Sequence, residues 1–174
     1  MMPATLILVG ASLAAAYTDL ARRRIPNVLT FGLAAVAMVL AATHGLAALG
    51  IALTAYTVLL IAGTFGFSRG WIGGGDVKLL AAGAACAGWP GLIPFLLYMS
   101  VAGGMLAIAE LTRTNRLRGA LENVALAAYV GNLHHGVTLD RERPKLPYAL
   151  AIAAGALLLL ASETVAPWLQ LVHV

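Results

Sequence analysis

The chain has 174 residues, 61% of them hydrophobic and only 10% charged, with a formal net charge of +4 and a mean hydropathy of +0.90. A soluble domain carries about a quarter charged residues, so this deficit excludes a water-solvated globule and points to a bilayer. The basic residues lie in short gaps between apolar runs, which argues against nucleic acid, and the lone Cys86 rules out an internal disulfide framework or a cysteine metal site.

Met1 to Tyr17 is apolar apart from Thr5 and Ser12. A cleaved secretory signal carries positive charge ahead of its apolar region, whereas Arg22, Arg23 and Arg24 follow this one. The stretch therefore reads as a retained first membrane helix with its amino end outside. Ile25-Pro26-Asn27 opens a second run to about Thr43, with Pro26 suited to a first helical turn. A His44-Gly45 turn leads to a third run, Leu46 to about Phe67. A polar loop with Ser68 and Arg69 and the stretch Gly73-Gly74-Gly75-Asp76-Val77-Lys78 then introduce a small-residue helix, about Asp76 to Gly88. This fourth span is short unless Trp71 and Ile72 also enter the membrane. Trp89-Pro90 turns into a fifth run to about Leu111, and a long polar interval, Thr112 to Leu146, follows. Its middle, Leu117 to Val130, reads either as an amphipathic surface helix or as a loop. A sixth run, Pro147 to about Val172, exceeds the roughly 20 residues a span requires.

The expected fold is all-α: a polytopic membrane protein with about six transmembrane helices in one domain, 1–174, both ends outside. Cytoplasmic loops collect Lys and Arg. With the amino end outside, the loops after spans one, three and five, with their helix ends, hold all eleven basic residues. This sidedness puts Asp19 and Asp76 on the same face at similar depth. Trp71, Trp89 and Trp168 suit interface anchors.

An ionisable residue at the edge of a span is a functional candidate. Two carboxylates held together share a proton, so one can take a proton from water while the other donates to a peptide carbonyl. That is aspartic-protease chemistry, and it requires no metal or other cofactor. Each acid has a bland alternative: Asp19 as a helix-end charge paired with a following arginine, Asp76 as a helix cap after a glycine turn. Capping and catalysis are compatible. Glu110 either reaches the catalytic region or pairs with Arg113 one turn on. Glu163 is either an interhelical contact or a headgroup-level charge. His44, His134, His135 and His173 show no ligand-like spacing, so no metal site is expected. Ser12, Thr54, Thr57, Gly83, Ala87, Gly103 and Gly104 read as helix packing, and Cys86 as a small buried hydrophobe.

Gly73-Gly74-Gly75-Asp76 matches the GxGD signature, and Asp76-Val77-Lys78 its GxGDxK extension, of type IV prepilin peptidases, the bacterial membrane aspartic proteases of pilin and type II secretion systems. Asp19 ahead of a basic stretch and Ile25-Pro26-Asn27 resembles that family's first-aspartate region, and Lys145-Leu146-Pro147-Tyr148 looks like its last-helix segment. The resemblance implies Asp19 and Asp76 as the catalytic pair and a loop shaped by Gly73, Gly74 and Gly75. Lys78 would position polar groups, with Arg22, Pro26, Asn27 and Glu110 as possible supporting residues. It implies removal of the short basic leader of a prepilin or pseudopilin at the cytoplasmic face of the bacterial inner membrane, with lipid as the other partner. Long members carry a cytoplasmic insertion with paired CxxC motifs between the first two spans, associated with amino-methylation of the pilin. Here those spans are joined within a few residues and no CxxC occurs, so methyltransferase activity is not expected and the compact form resembles Tad or Flp peptidases. Two other readings stay open: a GxGD protease resembling presenilin or signal peptide peptidase, whose YD motif is broken here by Thr18, and a small proton- or cation-coupled transporter.

Overall fold

The computed structural model describes residues 2–115, 117–119, 121–122 and 148–171. Among them all regular structure is helical: α1 (Met2–Arg22), α2 (Asn27–Thr43), α3 (Leu46–Ser68), α4 (Gly74–Arg113) and α5 (Tyr148–Leu171). Ala- and Leu-rich runs favour helix intrinsically, and a bilayer demands that backbone polar groups be satisfied within the segment. The described residues up to 103, with 148–171, form one compact unit; those from 104 to 122 belong to a second.

Among the described residues, four helices are long and apolar enough to cross a membrane: α1, α3, α4 and α5. Helix α2 has 17 residues, at the lower limit of spanning length. Helix α4 has 40 residues, about 60 Å at 1.5 Å per residue and twice a hydrocarbon core. It is broken at Gly88, whose φ of 61° and ψ of 176° lie outside helical space, just before Pro90.

The segment 74–87 is about 21 Å long, too short to cross a bilayer alone. It is the centre of the first unit. Val77 and every residue from Leu79 to Ala87 are buried, and Leu79, Leu80 and Ala82 share a core with Leu8 and Ala15 of α1, Leu33 of α2, Ala52 of α3 and Ile152 of α5. Its small side chains follow from that position. A Cβ on Gly83 would come within 3.0 Å of Phe95 and 3.2 Å of Leu8, and one on Gly63 of α3 within 2.6 Å of Val77. Around this core α1 packs on α5 and on α2, and α2 on α3.

Two helix ends shape the loops near the glycine stretch. Helix α1 runs a full turn beyond the apolar sequence, because backbone bonding does not stop where hydropathy falls. It stops at Arg23, which adopts a left-handed φ of 52° and donates its N–H to the Asp19 carbonyl at 2.8 Å. Helix α3 closes with Gly70 at φ 70°. Gly70 donates to the Phe67 carbonyl and Trp71 to the Gly66 carbonyl, both at 2.9 Å, the paired bonds of a glycine-terminated helix. The Trp71 ring meets Phe65 edge-on at 6.4 Å, and the Arg69 guanidinium lies 4.6 Å from the Phe65 centroid. This closure delivers the chain directly into residues 73–76.

Elsewhere in this unit the buried Thr5 hydroxyl donates to the Glu163 carboxylate at 3.1–3.2 Å, which resolves Glu163 as an interhelical contact between α1 and α5. Trp89 Nε1 donates to Thr54 Oγ1 at 3.0 Å. In the second unit Glu110 pairs with Arg113 at 3.5 Å and Arg118 with Glu122 at 3.1 Å, in residues helical at 117–119 and 121–122. The rest of the expected amphipathic stretch, His134, His135, His173, Lys145, Leu146 and Pro147, together with the Trp168 side chain, lies outside the described residues.

Candidate active site

Asp19 sits in the last turn of α1 and Asp76 in the first turn of α4. The two lie 57 positions apart in sequence (76 minus 19), yet they line one cavity of about 310 Å³ with Arg23, Arg24, Ile25, Asn27 and the three glycines 73–75.

Asp76 is the third residue of its helix and accepts a hydrogen bond from the backbone N–H of Gly73. An acid there also faces the positive end of the helix dipole. Capping uses only part of the carboxylate: Oδ1 is fully buried and has no hydrogen-bond partner among the described residues. Buried polar atoms are nearly always paired, so this oxygen is available for chemistry.

The three glycines are not equivalent. A Cβ on Gly73 would stand 2.7 Å from Asp76 Oδ2, and one on Gly75 would stand 3.1 Å from Ile25 Cβ. On Gly74 it would meet only the Phe67 ring, at an ordinary 3.4 Å. Glycine at 73 clears the carboxylate, and glycine at 75 lets α4 press against the segment that begins α2. The spacing of the motif, with its free middle position, follows from these two approaches.

Lys78 ties the same two segments. Its Nζ donates to Asn27 Oδ1 at 3.0 Å and lies 5.2 Å from the centroid of Phe31, within cation–π range. Pro26, with φ −62° and ψ 134°, is the extended residue immediately before α2. It thereby sets the direction in which Asn27 enters the helix.

Of the residues singled out from sequence, Asp19, Asp76, Gly73, Gly74, Gly75 and Asn27 come together at the cavity, and Lys78 joins through Asn27. Arg22 is exposed and does not line it; Arg23 and Arg24 do. Three consecutive arginines gave no basis for choosing among them; Arg23 reaches the cavity where the chain leaves α1 in a left-handed turn. Ile25, read from sequence only as part of the Ile25-Pro26-Asn27 segment, lines the cavity as well. Glu110 belongs to the second unit, where its partner is Arg113.

Asp76 also lines a second cavity, of about 230 Å³, with Ile72, Leu80, Met99, Ser100, Gly103, Tyr148, Ala151 and Ile152. Sequence reasoning gave no hint of it, beyond treating Gly103 as a packing residue and Tyr148 as part of a family-like segment.

A model of the type IV leader peptidase family matches residues 6–108, a stretch that holds both aspartates, Ile25 to Asn27 and the whole glycine motif. No curated protein and no solved structure matches the chain.

Proposed function

Because the chain belongs to the type IV leader peptidase family, and so to a group of multi-pass membrane peptidases, we propose that Asp19 and Asp76 are the catalytic pair of an aspartic endopeptidase. The supporting observation is that these two acids, 57 positions apart within the matched region, line one cavity. In this reading the pair works with one carboxyl ionised and the other protonated. The ionised member takes a proton from water as the water oxygen attacks the scissile carbonyl carbon. The protonated member donates to the carbonyl oxygen. Collapse of the tetrahedral intermediate breaks the C–N bond, and the proton first taken from water passes to the leaving amine.

The substrate in this reading is a prepilin or pseudopilin, whose short basic leader is removed at the cytoplasmic face of a bacterial inner membrane. The topology has six crossings with both ends outside: α2 makes one despite its length, and α4, broken at Gly88, makes two, the first with Trp71 and Ile72 also entering the membrane. The whole chain, 1–174, works as one peptidase domain. Arg22, Arg69 and most other cations meet anionic lipid, since a cationic surface is poorly suited to hold a basic leader. Cys86 is the only cysteine, so the enzyme works without the CxxC insertion that accompanies methylation.

Coexpression with a prepilin encoded nearby tests the pair. Asp19→Asn and Asp76→Asn each abolish the mobility shift that reports leader removal, with membrane insertion unchanged. Normal processing by both variants would show that the pair is misassigned.

A further inference from the structure

Hydrolysis of a peptide bond creates an anion, because the carbonyl side leaves as a carboxylate while the amine takes up a proton. The cavity that holds Asp19 and Asp76 carries two cationic side chains among its described walls, Arg23 and Arg24. Arg23 ends α1 with its N–H on the Asp19 carbonyl and is further engaged within the fold. Arg24 is exposed. It makes no hydrogen bond, ion pair or ring contact among the described residues, although both aspartates line the same cavity. Its backbone is nonetheless well placed, between the left-handed Arg23 at φ 52° and Pro26 at φ −62° two residues on. The glycines 73–75 leave the facing wall without side chains, so the end of a peptide can come close.

Resting on the reading of Asp19 and Asp76 as the catalytic pair, we propose that Arg24 is a product-binding residue, whose guanidinium takes the carboxylate that cleavage creates at the end of the released leader. With one carboxyl ionised, the acids set one negative charge against two guanidiniums, which are always protonated. The cavity therefore has one positive charge in excess, and an anionic chain end neutralises it. A guanidinium forms a two-bond fork with a carboxylate, whereas the neutral peptide carbonyl of uncut substrate makes weaker bonds that are not charge-assisted at both ends. Arg24 thus holds the leader more firmly after cleavage than before it. The sign of charge also decides between the leader's two parts: its basic residues are repelled by arginines at the cavity, and its cut end is attracted. The competing assignment is an Arg24–Asp19 ion pair that closes when a peptide binds. Such a pair would favour a neutral chain end, since the guanidinium would already be satisfied and the acids would repel an anion.

The test uses the full-length membrane enzyme, a prepilin substrate, and the leader peptide as competitor in two forms, ending in a free carboxylate or in an amide. Against the wild type the acid form inhibits with a Ki roughly 10-fold below that of the amide, the lower end for a charge-assisted hydrogen-bonded pair. Arg24→Gln brings the two values together by weakening the acid form alone. Arg69→Gln, which removes a cation that lies over Phe65 and outside the cavity, keeps the ratio. Arg24→Lys retains the charge without the fork and gives an intermediate ratio, so the residue stays testable if Arg24→Gln does not insert. Equal Ki values on the wild type overturn the proposal without any variant, as does an acid preference that survives in Arg24→Gln. A preference for the amide overturns it in favour of the Arg24–Asp19 pair. The premise is read separately: normal cleavage by both Asp19→Asn and Asp76→Asn removes the catalytic pair, whereas direct binding of labelled acid and amide leaders reports on Arg24 whether or not cleavage occurs.

Discussion

The α-carbon of Gly73 lies so near the Asp76 carboxylate that a methyl group added to it would stand 2.7 Å from Oδ2. The obstacle is the end of a side chain, so the fold can yield to Gly73→Ala while the acid moves. A displacement of about 1 Å at a reacting group costs on the order of 10²-fold in rate. Gly73→Ala is expected to lose leader removal on that scale with normal membrane abundance, while Gly74→Ala, with only ordinary contact to Phe67, keeps most of it. Side-by-side gel-shift rates and immunoblots of membrane fractions check this. Equal rates for the two variants would contradict it.

Lys78 and Asn27 are joined by one exposed hydrogen bond of 3.0 Å between α4 and the start of α2. Single replacements, Lys78→Met and Asn27→Ala, are expected to slow cleavage several-fold. The double variant should be little worse than either, with a coupling of about 0.5–1.5 kcal/mol as for an ordinary hydrogen bond. Strict additivity in cleavage rates would mean that the contact does not position the acid.

The Thr5 hydroxyl binds Glu163 between α1 and α5. Thr5→Val removes the donor and is expected to lower stability by about 1–2 kcal/mol, the scale of interhelical hydrogen bonds in membranes. Glu163→Gln keeps an acceptor oxygen and should cost less. Thermal unfolding of the detergent-solubilised protein distinguishes them, and leader removal at low temperature should be unaffected in both.

Gly155 faces the backbone of Met99, which cannot swing aside. Gly155→Ala therefore forces two helices apart and is expected to destabilise by about 1–3 kcal/mol. Gly50→Ala in α3 has no neighbour within 4 Å of the new methyl and should be neutral or stabilising by up to about 1 kcal/mol through helix propensity. Gly155→Ala should lower the thermal midpoint, and Gly50→Ala should leave it unchanged or raise it.

Hydropathy and the distribution of charge were enough to show an apolar, all-helical membrane chain and to locate its turns within a few residues. Helix formation and insertion depend on local composition, and a stretch such as 46–67 carries that information in its own residues. The motif around Asp76 and the Asp19 to Asn27 segment were likewise legible, because each is a short run of unusual residues in an apolar chain. The role of 74–87 was not: a run of Ala and Gly looks alike whether it faces lipid or four other helices, and only packing made it the core. Nor could the sequence distinguish Gly73 and Gly75, where an added methyl would press on Asp76 and Ile25, from Gly74, choose Arg23 and Arg24 over Arg22, or pair Thr5 with Glu163 across 158 positions. The common cavity of Asp19 and Asp76 and the apolar one beside Asp76 belong to the same class. They arise where ends of helices distant in sequence meet, and such distances are set by how closely small residues let those helices approach.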